Sequence, residues 1–185
     1  MPHVRDVLAL LEQFVPDPQR AAQDSCRRTM GLLRTTGAPF DRHHFDPGHL
    51  TASAVVLSPA PDDILIQWHE RLGRWLQPGG HFELEDADAP AAARRETLEE
   101  TGVDLTGVPW RLVGVDVHRI PAARGEPGHW HHDLVFGFRL PLAVDLGSGE
   151  ARAEWCPIAS LPLRGADNAL RRAAARARME LAFAM

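Results

Sequence analysis

Lysine and tyrosine are absent from this 185-residue chain, so every one of its 20 basic residues is Arg. Without a lysine amine, Schiff-base chemistry and lysine nucleophiles are excluded, and without a phenol so is tyrosine catalysis. Cysteine is scarce. Cys26 and Cys156 stand far apart in no metal-binding spacing, and they read as small buried hydrophobes. No stretch approaches the roughly 20 apolar residues of a membrane span. The opening segment "MPHVRDVLALLEQFVPDPQR" carries acidic residues and no long apolar core, so it does not read as a signal peptide. An excess of positive charge is missing too: the net charge of −5 argues against an extended nucleic-acid partner. These absences lead to the expectation of a soluble, cytoplasmic protein with no membrane partner.

What is present supports a packed core. Hydrophobic residues make up 44% and charged residues 24%, enough for one domain of ordinary size with a terminal extension. Val4, Val7, Leu8, Leu11, Phe14 and Val15 recur at helical spacing until Pro16, and a second helical stretch runs from about Pro18 to Leu33. "GAPFDRHHFDPGH" reads as a loop. Residues 1–49 are therefore expected to form a helical N-terminal extension packed on a main domain of residues 50–185. In that domain "LTASAVVLS" and "DILIQWHE" flank the turn signal "PAPDD" and predict a hairpin. "RLGRWLQPGGHFE" reads as a loop leading to a short extended piece. A helix is predicted from about Asp88 to Thr101, with Asp88 as N-cap, Pro90 in its first turn and Gly102 at its left-handed end. Strands follow at about 111–119, 134–142 and in "RAEWCPI", with a closing helix over 167–183. The order predicts an α/β domain around one central helix.

That helix contains "RRETLEETG", which sets Glu96, Glu99 and Glu100 on one face. Like charges at this spacing cost an isolated helix a few tenths of a kcal/mol per pair. A bare "ExxEE" usually marks a solvated acidic face. Here three further features favour a cation among the carboxylates. "QPGGH" at 77–81 supplies a glycine turn through which a backbone carbonyl can approach the ion. Arg95 precedes Glu99 by one helical turn and is placed to orient it. A "TG" pair ends the helix. Mg²⁺ is suited to such a site, being a hard cation held by a few carboxylates and substrate phosphate oxygens.

Together these pieces resemble the Nudix box of the Nudix hydrolase family. "RETLEETGV", residues 95–103, matches the second half of that pattern, with Thr97 where the family prefers an aliphatic residue. The first half departs from it. Counting back, the family's Gly and first Glu fall on His81 and Ala87. If Gly80 is that Gly, one extra residue lies between turn and helix, and Asp86 or Glu85 takes the Glu position. "GHLTASAVVLS", "HERLGRWLQPGGHFE" and "EWCPIASL" extend the likeness over residues 50 to about 165. The resemblance implies an α/β/α sandwich with a mixed β-sheet and hydrolysis of a diphosphate linkage in a nucleoside diphosphate derivative, or a related small-molecule diphosphate, by attack of water on phosphorus. It implies Mg²⁺ or Mn²⁺ held by Glu96, Glu99 and Glu100 with the carbonyl of Gly80, Glu99 and Glu96 serving the chemistry, and Arg95 orienting them.

Beyond the box, "EPGHWHHDLVF" would put His129, His131 and Asp133 on one strand face if the strand begins that early. These residues and His81 form an additional candidate site, although isolated histidines are more often structural. Family members often place a further acidic group outside the box, and Asp133 or Glu126 is available for that role. The histidines of "FDRHHFDPGH" read as loop residues. Two rival readings remain: a non-catalytic nucleotide-sensing module, which typically loses a box glutamate, and an isopentenyl diphosphate isomerase type, which needs a catalytic Cys where this chain has only Cys156 in its closing strand. The N-terminal helices have two roles open to them, capping the site or forming a homodimer interface.

Overall fold

The computed structural model describes residues 1–123, 125–147 and 149–182. Helices α1 (Val4–Gln13) and α2 (Arg20–Thr35) precede strands β1 (His49–Leu57), β2 (Asp63–His69), β3 (Arg74–Leu76) and β4 (Gly79–His81). Helix α3 (Ala89–Thr101), strands β5 (Trp110–Ile120), β6 (His129–Arg139) and β7 (Ala153–Pro157), a 3-10 helix (Ile158–Arg164) and α4 (Asn168–Leu181) complete the chain.

The seven strands form one mixed sheet with the path β3-β2-β1-β6-β5, β4 pairing with β1 and β7 with β2. β1 and β6 are parallel, with His49 opposite His131 and Thr51 opposite Asp133; the pairs of β1 with β2 and of β5 with β6 are antiparallel. Both faces of the sheet are covered, so that every residue of β1 is buried. Leu50, Ala52, Ala54 and Val56 join one core with Val7 and Leu11 of α1, Cys26, Leu32 and Leu33 of α2, and Ala89, Ala92 and Ala93 of α3. The alternate residues Val55 and Leu57 join a second core with Leu170, Ala173, Ala174 and Ala177 of α4. The result is the α/β/α sandwich that the resemblance implies.

α2 is tied to the sheet by buried polar contacts as well. Val117 N–H donates to Ser25 Oγ at 3.1 Å, and Thr29 Oγ1 lies 3.0 Å from His132 Nδ1. The Thr29 hydroxyl gives its own proton to the Ser25 carbonyl, so the imidazole is the donor in that pair.

Three local expectations are corrected. The segment read as a loop after β2 contains two three-residue strands: β3, which folds back on β2 as a hairpin, and β4, which pairs with the distant β1. β6 begins at His129 rather than Leu134, because its polar first half pairs in register with both β1 and β5. α1 stops at Gln13, short of Val15. Among the described residues no helix is long and apolar enough to cross a membrane.

Candidate active site

α3 is fixed at both ends by local chemistry. Asp88 Oδ1 accepts from Ala91 N–H at 2.8 Å, Pro90 occupies the first turn, and Gly102 ends the helix in the left-handed conformation. Carbonyls that the last turn leaves open are taken by the segment before β7: Glu150 N–H donates to the Glu99 carbonyl and Ala151 N–H to that of Glu100, both at 2.9 Å. The acidic face of α3 is thus held against β4. Gly79 N–H donates to Glu100 Oε2 at 2.9 Å. At Gly80 there is no room for a side chain, since a Cβ would lie 2.5–2.6 Å from the Glu96 carboxylate.

Arg95 organises this face. Its Nε meets Asp86 Oδ1 at 3.2 Å and its Nη2 meets Oδ2 at 3.1 Å, a two-pronged grip on a buried carboxylate. Nη1 donates to Glu96 Oε1 at 2.9 Å and to Glu99 Oε2 at 3.2 Å, while Nη2 also reaches the His81 carbonyl at 2.7 Å. Of the two acidic residues available for the first half of the box, Asp86 is the one joined to Arg95; Glu85 is exposed.

Charge is not balanced by that one guanidinium. The Glu96 carboxyl is pushed up to about 7, burial outweighing the pull of Arg95, with Glu100 and Glu99 adding repulsion. Glu100 is raised as well, by burial first, against hydrogen bonds from Gln67 and Gly79. Glu99 differs: its side chain is 48% exposed and open to solvent. Two half-buried carboxylates, a third at the rim and a glycine with no space for a Cβ make a donor set that fits a hard divalent cation.

A cleft of about 490 Å³ opens beside this face. Glu100, Glu126 and Glu150 line it together with Arg42, Arg71 and Arg152, and His81, His129 and His131 form part of the same wall. The polar groups expected on the early part of β6 therefore do gather, but differently from one another. Asp133 is buried in the sheet, accepting from Thr51 Oγ1 at 2.9 Å and from Ser53; burial raises its carboxyl above the ordinary range. Its partners are these hydroxyls rather than the α3 glutamates. His129 Nε2 lies 3.2 Å from His131 Nε2.

Glu150 and His49 are among the residues of the cleft region that were not singled out in the sequence, as are Arg42, Arg71 and Arg152. Glu150 sits in "GSGEARAEW" with no motif around it, and only the docking of that segment on α3 brings it beside Glu100, whose carboxyl it helps to raise. His49 reads as part of a loop, yet it is the first residue of β1, and the parallel register sets it opposite His131.

Comparison with known proteins agrees with the fold. Residues 47–177 match the NUDIX domain family. No curated protein sequence matches the chain. Among solved structures, the NUDIX domain of Shewanella oneidensis NrtR complexed with ADP ribose is similar at a TM-score of 0.57 and 18% identity, covering 82% of this chain and 97% of that one. The E. coli dihydroneopterin triphosphate pyrophosphohydrolase gives a TM-score of 0.55 at 18% identity, covering 68% and 91%. A C. elegans Ap4A hydrolase gives 0.50 at 19%, covering 72% and 97%. At these identities the likeness is one of fold.

Proposed function

The chain belongs to the Nudix family, and from that premise we propose that it hydrolyses the diphosphate linkage of a nucleoside diphosphate derivative, or a related small diphosphate, in a divalent-metal-dependent reaction. A diphosphate-cleaving hydrolase is what the family membership supports. Substrate class, metal and site residues are our reading. The observation that carries it is a set of glutamates held in place without being neutralised: Arg95 binds Glu96 and Glu99, Gly79 N–H binds Glu100, and the half-buried Glu96 and Glu100 are pushed upward in pKa and directed at the glycine turn.

Glu96, Glu99 and Glu100, with the Gly80 carbonyl, would hold Mg²⁺ or Mn²⁺. The cation, when bound, supplies neutralisation of the diphosphate oxygens and acidifies water in its shell. The chain's own residues supply the rest. Arg95 keeps Glu96 and Glu99 at fixed separation, and Asp86 holds Arg95 in turn. Glu99 is the carboxylate that solvent can reach, which suits it to accept a proton from the attacking water. Arg42, Arg71 and Arg152 line the cleft with positive charge for phosphate oxygens.

The test is phosphate release from a panel of nucleoside di- and triphosphates, ADP-ribose, dinucleoside polyphosphates, sugar nucleotides, NADH and CoA, with Mg²⁺ or Mn²⁺. Turnover of one compound, lost in Glu100→Gln, supports the hydrolase and names its substrate. Tight binding of a nucleotide without turnover, in protein that still binds Mg²⁺, would replace it with the non-catalytic nucleotide-binding module.

A further inference from the structure

Histidines from three separate stretches of sequence meet in and just behind one wall of the cleft. His49 opens β1, His81 ends β4, and His129 and His131 lie on one face of β6, where His131 is the in-register partner of His49. The rings of His49 and His131 are 4.8 Å apart between centroids, those of His49 and His129 5.0 Å, and those of His129 and His131 5.1 Å. One ring nitrogen from each of His49, His129 and His131 lies within 4.8 Å of the other two. We propose that these three imidazoles form a second metal site, distinct from the α3 carboxylates, that takes a transition-metal dication of the Zn²⁺ type.

Tautomers provide the first argument. His129 Nδ1 is 2.8 Å from the Pro127 carbonyl, and His49 Nδ1 is 3.2 Å from the His44 carbonyl. A carbonyl only accepts, so in its neutral form each ring carries its proton on Nδ1 and presents an Nε2 lone pair. A backbone carbonyl on the far nitrogen is the usual support of a metal-bound histidine, fixing both ring orientation and tautomer.

The second argument is an unmet need. His49 is fully buried, and its Nε2 has no hydrogen-bond partner. An N–H on His131 Nε2 can serve His129 Nε2, 3.2 Å away, but it does not serve His49. A central cation would satisfy all three lone pairs at once. The 3.2 Å separation also suits one: ligand nitrogens about 2.0 Å from a tetrahedral Zn²⁺ lie about 3.3 Å apart.

Third, a metal-binding imidazole must be neutral, and burial favours the neutral form of His49 and His131. Burial and then the neighbouring imidazoles lower His49 to about 4 and His131 to about 2. A set of nitrogen donors without a carboxylate selects Zn²⁺ and its neighbours over Mg²⁺. His131 lines the cleft, so a three-histidine ion keeps a fourth position for water or an anionic oxygen entering from that side. Arg95, which binds the α3 glutamates, also holds the backbone carbonyl of His81, whose ring packs 5.1 Å from those of His49 and His131.

The experiment is equilibrium dialysis of chelator-stripped full-length protein against Zn²⁺, with Co²⁺ as a spectroscopic probe and Zn X-ray absorption to count imidazole ligands. We expect a single tightly bound ion per chain in the wild type, retained in Glu100→Gln. His129→Gln and the half-buried His131→Gln should weaken it by about 100-fold or more, the upper end of what outer-shell changes cost metal sites. Far-UV circular dichroism checks that both variants are folded. Retention of Zn²⁺ in the two folded histidine variants, its loss in Glu100→Gln, or no stoichiometric Zn²⁺ in the wild type would overturn the proposal. Failure of the hydrolase reading would leave these readouts unchanged.

Discussion

Arg95 grips both carboxylate oxygens of Asp86, at 3.2 and 3.1 Å, and with the same guanidinium reaches Glu96 and Glu99. Asp86 lies outside the helix that carries the other three residues, in the short segment between β4 and α3. It therefore acts on the glutamates only through Arg95. Breaking a buried ion pair by removing one partner costs about 3–5 kcal/mol, and the remaining acidic partners of Arg95 should hold the loss below that range. Asp86→Ala is expected to lower stability by about 1–3 kcal/mol and turnover by about 10- to 100-fold, with Asp86→Glu recovering part of both. Urea unfolding and steady-state kinetics on the substrate found by the panel check this. Unchanged turnover in Asp86→Ala would remove Asp86 from the positioning chain.

Gly80 gives a prediction of the opposite kind, loss of function with little loss of fold. The first atoms that a Cβ there would meet belong to the Glu96 carboxylate, the far end of a side chain rather than a backbone. That carboxylate must yield, and yielding takes it out of the geometry set by Arg95. Gly80→Ala should weaken Mg²⁺ binding by about 10- to 100-fold with only a small shift in melting temperature. Metal titration beside a thermal melt separates the two effects. Wild-type Mg²⁺ affinity in this variant would contradict the role proposed for the turn.

How much of this was legible in the sequence follows from how local each signal is. α3 was readable almost to the residue, because Asp88, Pro90 and Gly102 act within one turn of its ends and the spacing of Glu96, Glu99 and Glu100 fixes their common face. β3 and β4 were not, since three residues cannot display a period of two, and β4 depends besides on β1, a partner far away in sequence. The start of β6 was hidden for another reason. "HWHHD" lacks the apolar character of a strand, and it is buried because Thr29, Thr51 and the neighbouring imidazoles satisfy its polar groups. His49 was read as loop for want of the parallel register with His131, which no local pattern encodes.

A pH dependence follows from Glu96. Its carboxyl is raised from 4.5 in the unfolded chain to about 7 in the folded one, burial being the main cause. Between those values the folded protein binds more protons than the unfolded one. The contribution of this group to stability is thus fully present below 4.5 and lost as pH rises through about 7. The lowered histidines titrate in the opposite sense, so the effect is best isolated as a difference between variants. In metal-free protein, Glu96→Gln should gain stability relative to wild type as pH rises from 4.5 to about 7, and added Mg²⁺ should close that gap by stabilising the wild type alone. Urea midpoints across that range, with and without Mg²⁺, measure it; a pH-independent difference would mean that Glu96 ionises freely.

The contact between Thr29 of α2 and His132 of β6 tests whether the N-terminal helices belong to the same cooperative unit as the sheet. Thr29 passes its hydroxyl proton to the Ser25 carbonyl and accepts from His132 Nδ1, so a valine at position 29 would leave a buried imidazole N–H without a partner. Such a group costs about 1–3 kcal/mol, whereas replacing both partners by apolar side chains can be nearly neutral. Thr29→Val should therefore destabilise the whole protein by about 1–3 kcal/mol, and Thr29→Val with His132→Phe should recover most of it. If α2 is part of one folding unit, a single unfolding transition shifts in the first variant and returns in the second. A separate early transition confined to Thr29→Val would instead mean that residues 1–49 unfold on their own, despite the core that Leu32 and Leu33 share with the sheet.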